Sequence, residues 1–93
     1  MTYRYFTLGG AVVKRVARLR APADFGLAIQ QARLARGLSQ VELAQEIDST
    51  QSTISAIESG QTTILVRRLL ELASVTGIEF SATWEDDVDA PRD

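Results

Sequence analysis

Residues 37–60 read GLSQVELAQEIDSTQSTISAIESG, and the punctuation of this stretch decides the fold. Ser39-Gln40-Val41-Glu42 matches a capping box, in which the serine hydroxyl and the glutamate carboxylate each accept a hydrogen bond from the other residue's backbone N–H. A helix therefore starts at Gln40, with Val41, Leu43, Ala44 and Ile47 on its apolar side. Asp48-Ser49-Thr50 reads as a turn leading into another N-cap. The helix that follows, from Gln51 to Glu58, turns Ile54 and Ile57 inward and stops at Gly60. Two short helices joined by a polar turn, with Leu43, Ala44, Ile47, Ile54 and Ile57 placed to pack between them, have the spacing of a helix-turn-helix.

Working outward, Asp24 can cap a preceding helix that buries Phe25, Ile29 and Ala32 and ends at Gly37. Downstream, Thr62 or Thr63 caps a further helix with a wide apolar face (Leu65, Val66, Leu69, Leu70, Leu72, Ala73 and Val75) before Gly77. Ile78, Phe80, Ala82 and Trp84 then alternate with Glu79, Ser81 and Thr83, the period of a half-buried strand. A lone strand cannot satisfy its own backbone groups, so this one needs a partner: the aromatic segment Thr2 to Leu8, or the same strand of a second subunit. Between Ala11 and Arg20, Val12, Val16 and Leu19 fall on one side of a helix and Lys14, Arg15 and Arg18 on the other. The expectation is a short basic amphipathic helix, although Gly9-Gly10 also permits a hairpin.

These readings divide the chain into a basic N-terminal extension (1–21), a helical domain (22–77), a strand (78–84) and an acidic flexible tail (85–93). The whole is mainly α, with four to five helices.

The 93 residues contain no Cys and no His, which removes the usual thiolate and imidazole zinc sites, cysteine nucleophiles and Ser-His-Asp triads. No catalytic residue, metal or cofactor is expected. Lack of a membrane-length apolar run or a signal-peptide pattern predicts a cytoplasmic protein without membrane contact. The formal charge is -2, yet its distribution is polar. Arg4, Lys14, Arg15, Arg18, Arg20, Arg33 and Arg36 face only Asp24 in the first 36 residues, while Glu85, Asp86, Asp87, Asp89 and Asp93 crowd the end. Such asymmetry points to a basic binding face and an acidic tail.

With Ile54 and Ile57 inward, the helix from Gln51 presents Gln51, Ser52, Thr53, Ser55 and Ala56, uncharged side chains that are short or amide-bearing. Gln pairs bidentately with adenine N6 and N7, Ser and Thr donate or accept, and methyl groups meet the thymine methyl, so this face suits base edges in a DNA major groove.

At these residues the sequence resembles a known family. Gly37-Leu38-Ser39-Gln40, Glu42-Leu43-Ala44, Thr50-Gln51-Ser52-Thr53-Ile54-Ser55 and Ile57-Glu58-Ser59-Gly60 look like the lambda-repressor-like helix-turn-helix domain of the XRE type. The resemblance runs from about Asp24 to Gly77. It implies that Gln51, Ser52, Thr53 and Ser55 face the bases, that Gln40 and the loop Gln61-Thr62-Thr63 hold phosphates, and that Arg33 and Glu58 form a structural ion pair. Asp48 stands where the family usually has Gly in the turn, a position that asks for a left-handed backbone. The recognition helix lacks the Lys or Arg that many relatives use, so Lys14, Arg15 and Arg18 are the expected additional phosphate ligands.

The wide apolar helix followed by Gly77 and a single strand is similar, further, to the HipB-like antitoxins. That likeness implies a homodimer whose C-terminal strands pair across the two-fold axis through Ile78, Phe80, Ala82 and Trp84. It also implies a palindromic double-stranded operator and a cognate toxin, a HipA-like kinase among the candidates. A stand-alone regulator without a toxin is the close variant. The alternatives from other classes are an interaction module using the acidic tail and a cation-dependent enzyme built on Asp86, Asp87 and Asp89.

Overall fold

The computed structural model describes residues 2–7 and 10–87, with side chains from residue 12 onward. In chain order the elements are β1 (Thr2–Thr7), β2 (Gly10–Arg18), α1 (Pro22–Ala35), α2 (Gln40–Glu46), α3 (Gln51–Glu58), α4 (Ile64–Thr76) and β3 (Ser81–Asp87). No helix among the described residues is long and apolar enough to cross a membrane.

α2, α3 and α4 begin at caps written in the sequence, whereas Asp24, expected to cap α1, lies in its first turn and Ala21 is the N-cap. Pro22 opens α1, and Asp24 Oδ2 accepts from the backbone N–H of Arg20 (2.8 Å) and Ala21 (2.9 Å). The Ser39–Glu42 capping box forms in both directions, at 3.0 and 2.9 Å. Thr50 Oγ1 accepts from Thr53 N–H at 3.2 Å, and Thr63 Oγ1 from Val66 N–H at 3.4 Å. Three helices end alike, with a left-handed residue at Gly37, Asp48 or Gly60. The next N–H then reaches back to close a Schellman turn: Leu38 to Arg33 O, Ser49 to Ala44 O and Gln61 to Ala56 O.

Asp48, at φ 55°, is the non-glycine member of this set, and it sits in the turn between α2 and α3. A left-handed backbone costs an L-residue about 1–2 kcal/mol, somewhat less for Asp. We expect Asp48→Gly to raise stability by about 0.5–1 kcal/mol. Thermal melts of the two proteins check this; a lower midpoint for the glycine variant would refute the strain.

The N-terminal region differs from the expectation. Residues 10–18 are a strand, not a basic helix, and β2 is the centre of a three-stranded antiparallel sheet in the order β1-β2-β3. Thr2 pairs with Arg15 and Thr7 with Gly10; Val12 pairs with Asp87 and Arg18 with Ser81. Three β-branched valines within β2 favour the pleat locally. The larger reason is distant in sequence: β3 supplies both a hydrogen-bonding edge and counter-charges. Lys14 lies opposite Glu85, and Arg15 donates to Asp86 at 3.3 Å. The predicted strand 78–84 is correspondingly shifted to Ser81–Asp87. Glu85, Asp86 and Asp87 therefore belong to the sheet and not to a flexible tail; the rest of that tail, 88–93, lies outside the described residues, as do Leu8 and Gly9. β3 pairs with β2 and not with the aromatic segment, which forms β1 on the far side of β2; β3 lies at an edge of the sheet, and Ile78 and Phe80 precede it.

Burial in the sheet falls on one face, where Val13 is opposite Asp86, Arg15 opposite Trp84 and Ala17 opposite Ala82, and α1 packs on β2 and β3. α3 packs against both α1 and α2. The core is small: Val13, Leu19, Ala28, Ala44, Ile54 and Ala73 are its buried apolar residues. Ile29, Ile47 and Ile57, expected inside, are exposed, and so are Val41 and most of the apolar face of α4.

Helix α4 makes only sparse contact with the rest of the described chain. An open apolar groove of about 300 Å³, lined by Phe25, Ile29, Ile57 and Val66 among others, separates its start from α1. The molecule measures 43 × 32 × 17 Å with a radius of gyration of 15.0 Å, against about 12 Å for a compact domain of this length.

Candidate nucleic-acid interface

Three features place the outer face of α3. Ile54, buried at its centre, anchors the helix to the core. The Thr50 cap and the strained turn at Asp48 set its start. Gly26 of α1 meets its C-terminal carbonyls so closely that a Cβ there would lie 2.3 Å from Ile57 O. What remains outside is the predicted set: Gln51, Ser52 and Thr53 are exposed and Ser55 is half-buried. No carboxylate stands in the first turn of α3, where it would repel a phosphate backbone. The Thr50 hydroxyl lies 3.2 Å from Ser52 Oγ and 2.9 Å from Thr53 Oγ1, so the hydroxyls at the helix start hold one another.

Gln40, the first residue of α2, is joined to this face. Its Oε1 accepts from Gln51 Nε2 at 2.6 Å, and its own Nε2 donates to Glu58 Oε1 at 3.0 Å. Glu58 is also gripped by Arg33, whose Nε reaches Oε2 at 2.7 Å and whose second terminal nitrogen reaches Oε1 at 3.1 Å. The remaining guanidinium nitrogen donates to Leu38 O at 2.8 Å. With side chains 9% and 3% exposed, Arg33 and Glu58 form a desolvated bidentate pair that ties α1, the α1–α2 loop and α3 together.

The hydrogen bonds from Arg33 hold the Glu58 carboxyl below its usual range despite the opposing effect of burial, with Gln40 helping. A folded pKa below the unfolded one means that this stabilisation is fully present above about pH 4.3 and is lost as pH falls through the folded value. Denaturant midpoints should therefore drop on going from pH 6 to pH 3. That acid-sensitive component should shrink in the double variant Arg33→Met, Glu58→Gln, which removes both charges. An unchanged pH profile in the double variant would assign the acid sensitivity elsewhere.

The expected phosphate ligands divide. Gln40 lies beside α3, and the exposed N-terminus of α4 follows Gln61, Thr62 and Thr63. Gln61 has its backbone N–H committed to Ala56 O, and the Thr63 hydroxyl caps α4. Lys14, Arg15 and Arg18 lie on β2, where Arg15 is paired with Asp86 and Arg18 with Glu79. Sequence reasoning read these opposite charges as separate poles because their contact depends on a strand pairing across most of the chain. The Asp86 pairing also takes up one carboxylate of the supposed cation site. Among the described residues no group of three or more His, Cys, Asp or Glu could hold a metal.

No solved structure matches the chain. A family model described as helix-turn-helix matches residues 29–82, over half of the chain, spanning the end of α1, all of α2, α3 and α4, and the first residues of β3. With its four helices, its turn at Asp48 and the exposed face of α3, the chain belongs to the XRE-type helix-turn-helix family of DNA-binding transcription regulators, lambda-repressor-like in fold.

Proposed function

We propose that the protein is a homodimeric, sequence-specific repressor that inserts α3 into the major groove of a palindromic operator in the cytoplasm. The observation that carries this is the exposed, acid-free amide and hydroxyl face of Gln51, Ser52 and Thr53, flanked by the helix starts at Gln40 and Thr63. Gln51, Ser52, Thr53 and Ser55 meet bases. Gln40, Gln61, Thr62 and Thr63 meet phosphates through side chains and helix N-termini, where the dipole favours an anion. With Arg15 and Arg18 in ion pairs, the β2 cations are secondary to these contacts.

Dimerisation is supported by α4 more than by β3. Leu65, Leu69, Leu72 and Val75 are 48–86% exposed and uncovered by the rest of the described chain. A contiguous apolar stripe of this kind marks an interaction surface, and a helical stripe is self-complementary across a two-fold axis. The dimer would present two α3 helices about 34 Å apart, to half-sites one helical turn apart.

Gln51→Ala should lose about 1–3 kcal/mol on the selected operator and little on random DNA. Anisotropy titrations on both duplexes read this, and equal losses on the two would remove Gln51 from base reading.

The finer role that follows from the HipB-like resemblance is that of an antitoxin in a type II pair, repressing its own operon and binding a toxin. A regulator without a toxin is the alternative reading, because the exposed face of α3 accounts for DNA binding by itself. Expression of the adjacent reading frame decides between them. Growth arrest relieved by this protein, with co-purification of the two, supports the antitoxin role; no arrest and no complex leaves the regulator alone.

A further inference from the structure

Helix α4 meets the rest of the described chain sparsely, and a cleft of about 310 Å³ lies where it approaches the end of β2 and the segment leading into β3. That volume holds roughly ten water-sized groups. Leu19 and Phe80 wall the cleft from the sheet side and Leu70 and Ala73 from α4, so its body is apolar. The walls are preformed: Leu19 and Ala73 are buried, and Leu19 N–H donates to Phe80 O at 2.9 Å. An apolar, preformed cleft with a few charged groups at its rim is the usual form of a small-molecule site.

The charged groups choose the ligand. Arg18, Arg20 and Glu79 line the same cleft, and Glu79 is answered by Arg18 in an ion pair. Arg20 has no ion-pair partner among the described residues, so the rim keeps one uncompensated positive charge. A guanidinium at the mouth of an apolar cleft suits a carboxylate, which it can hold through two parallel hydrogen bonds while a hydrocarbon body lies behind. We propose that this cleft binds a small amphiphilic carboxylate, its chain against Leu19, Leu70, Ala73 and Phe80 and its head on Arg20. The bound molecule bridges α4 to the sheet, adding a tie where the helix has few. The site uses none of the residues assigned to DNA.

Octanoate, an eight-carbon chain with one carboxylate, is the probe. Calorimetric titration of the full chain should show saturable binding with a dissociation constant of about 0.1–1 mM, and octanoate should raise the melting midpoint. Octylammonium, the same chain with the opposite charge, and acetate, the same head without the chain, should each bind at least about fivefold more weakly. Arg20→Ala should weaken octanoate about fivefold, the worth of a well-placed exposed ion pair. Ser74→Leu, which narrows the cleft from the α4 side, should abolish saturable binding. Arg36→Ala removes an exposed cation outside the cleft and should bind as the parent does. All three variants are compared once circular dichroism shows them folded. No saturable binding by the parent up to about 5 mM, equal binding of octylammonium, an Arg20→Ala affinity matching the parent's, or an equal loss in Arg36→Ala would each overturn the proposal. DNA is absent from every arm, so this site and the operator reading can fail separately.

Discussion

Gly26→Ala should destabilise the protein by about 3 kcal/mol, although alanine is the better helix former by about 1 kcal/mol. An added Cβ would sit 2.3 Å from Ile57 O, 2.6 Å from Glu58 O and 2.9 Å from Glu58 C. All three are backbone atoms, so no side-chain rotation relieves the clash. α1 and the end of α3 would have to separate, and the separation acts directly on Glu58, the residue that the Arg33 fork holds. For a chain of this size a loss of that order lowers the melting midpoint by more than about 10 °C. Urea and thermal unfolding check it, and a variant as stable as the parent would show that the two helices do not approach as described.

Leu69→Glu combined with Leu72→Glu should abolish the dimer and reduce affinity for a two-half-site operator by roughly 10²–10⁴-fold, the advantage that linking two binding heads confers. These leucines lie on the uncovered face of α4, so the substitutions disturb little within one chain. Across a two-fold axis, however, each new carboxylate meets its own copy in an apolar seam. Sedimentation velocity should show a dimer for the parent and a monomer for the variant, with parent melting midpoints rising with protein concentration. An unaltered dimer would place the interface elsewhere, for which the exposed Ile78 and Phe80 are the nearest candidates.

The helical half of the fold was legible because its signals are local. Ser39 with Glu42, Thr50, Thr63, Gly37, Gly60 and Gly77 each act within one turn of their own position, and every one of them marks a helix end in the structure. The strain at Asp48 could be anticipated only through the family resemblance, which implies a glycine in that turn. The sheet was not legible in the same way. Val12, Val16 and Leu19 satisfy a helical period, and nothing within ten residues of Arg15 announces Asp86 as its partner. Only the charge asymmetry hinted at it: a basic segment and an acidic one in the same chain can serve a distant ligand or each other, and here they pair with each other.

The candidate site was legible at the level of residue type and opaque at the level of wiring. Gln51, Ser52 and Thr53 could be placed on the outer face from the inward position of Ile54; Ile57, expected inward with it, is 36% exposed. That Gln40 bridges Gln51 to Glu58 could not, because it requires the start of α2 to stand beside the starts and ends of α3 at hydrogen-bond distance. The close approach at Gly26 was likewise hidden, since a glycine inside a helical pattern reads as a weakness until the neighbouring backbone is known.

Selection of duplexes from a randomised DNA pool by the purified protein tests the central claim most directly, because it presumes no operator. If α3 reads bases as one of a symmetric pair, sequencing should recover an inverted repeat with half-site centres about 10 base pairs apart and an adenine at the position whose enrichment disappears with Gln51→Ala. Recovery of DNA without any shared sequence, or of a motif that Gln51→Ala, Ser52→Ala and Thr53→Ala leave untouched, would contradict the account.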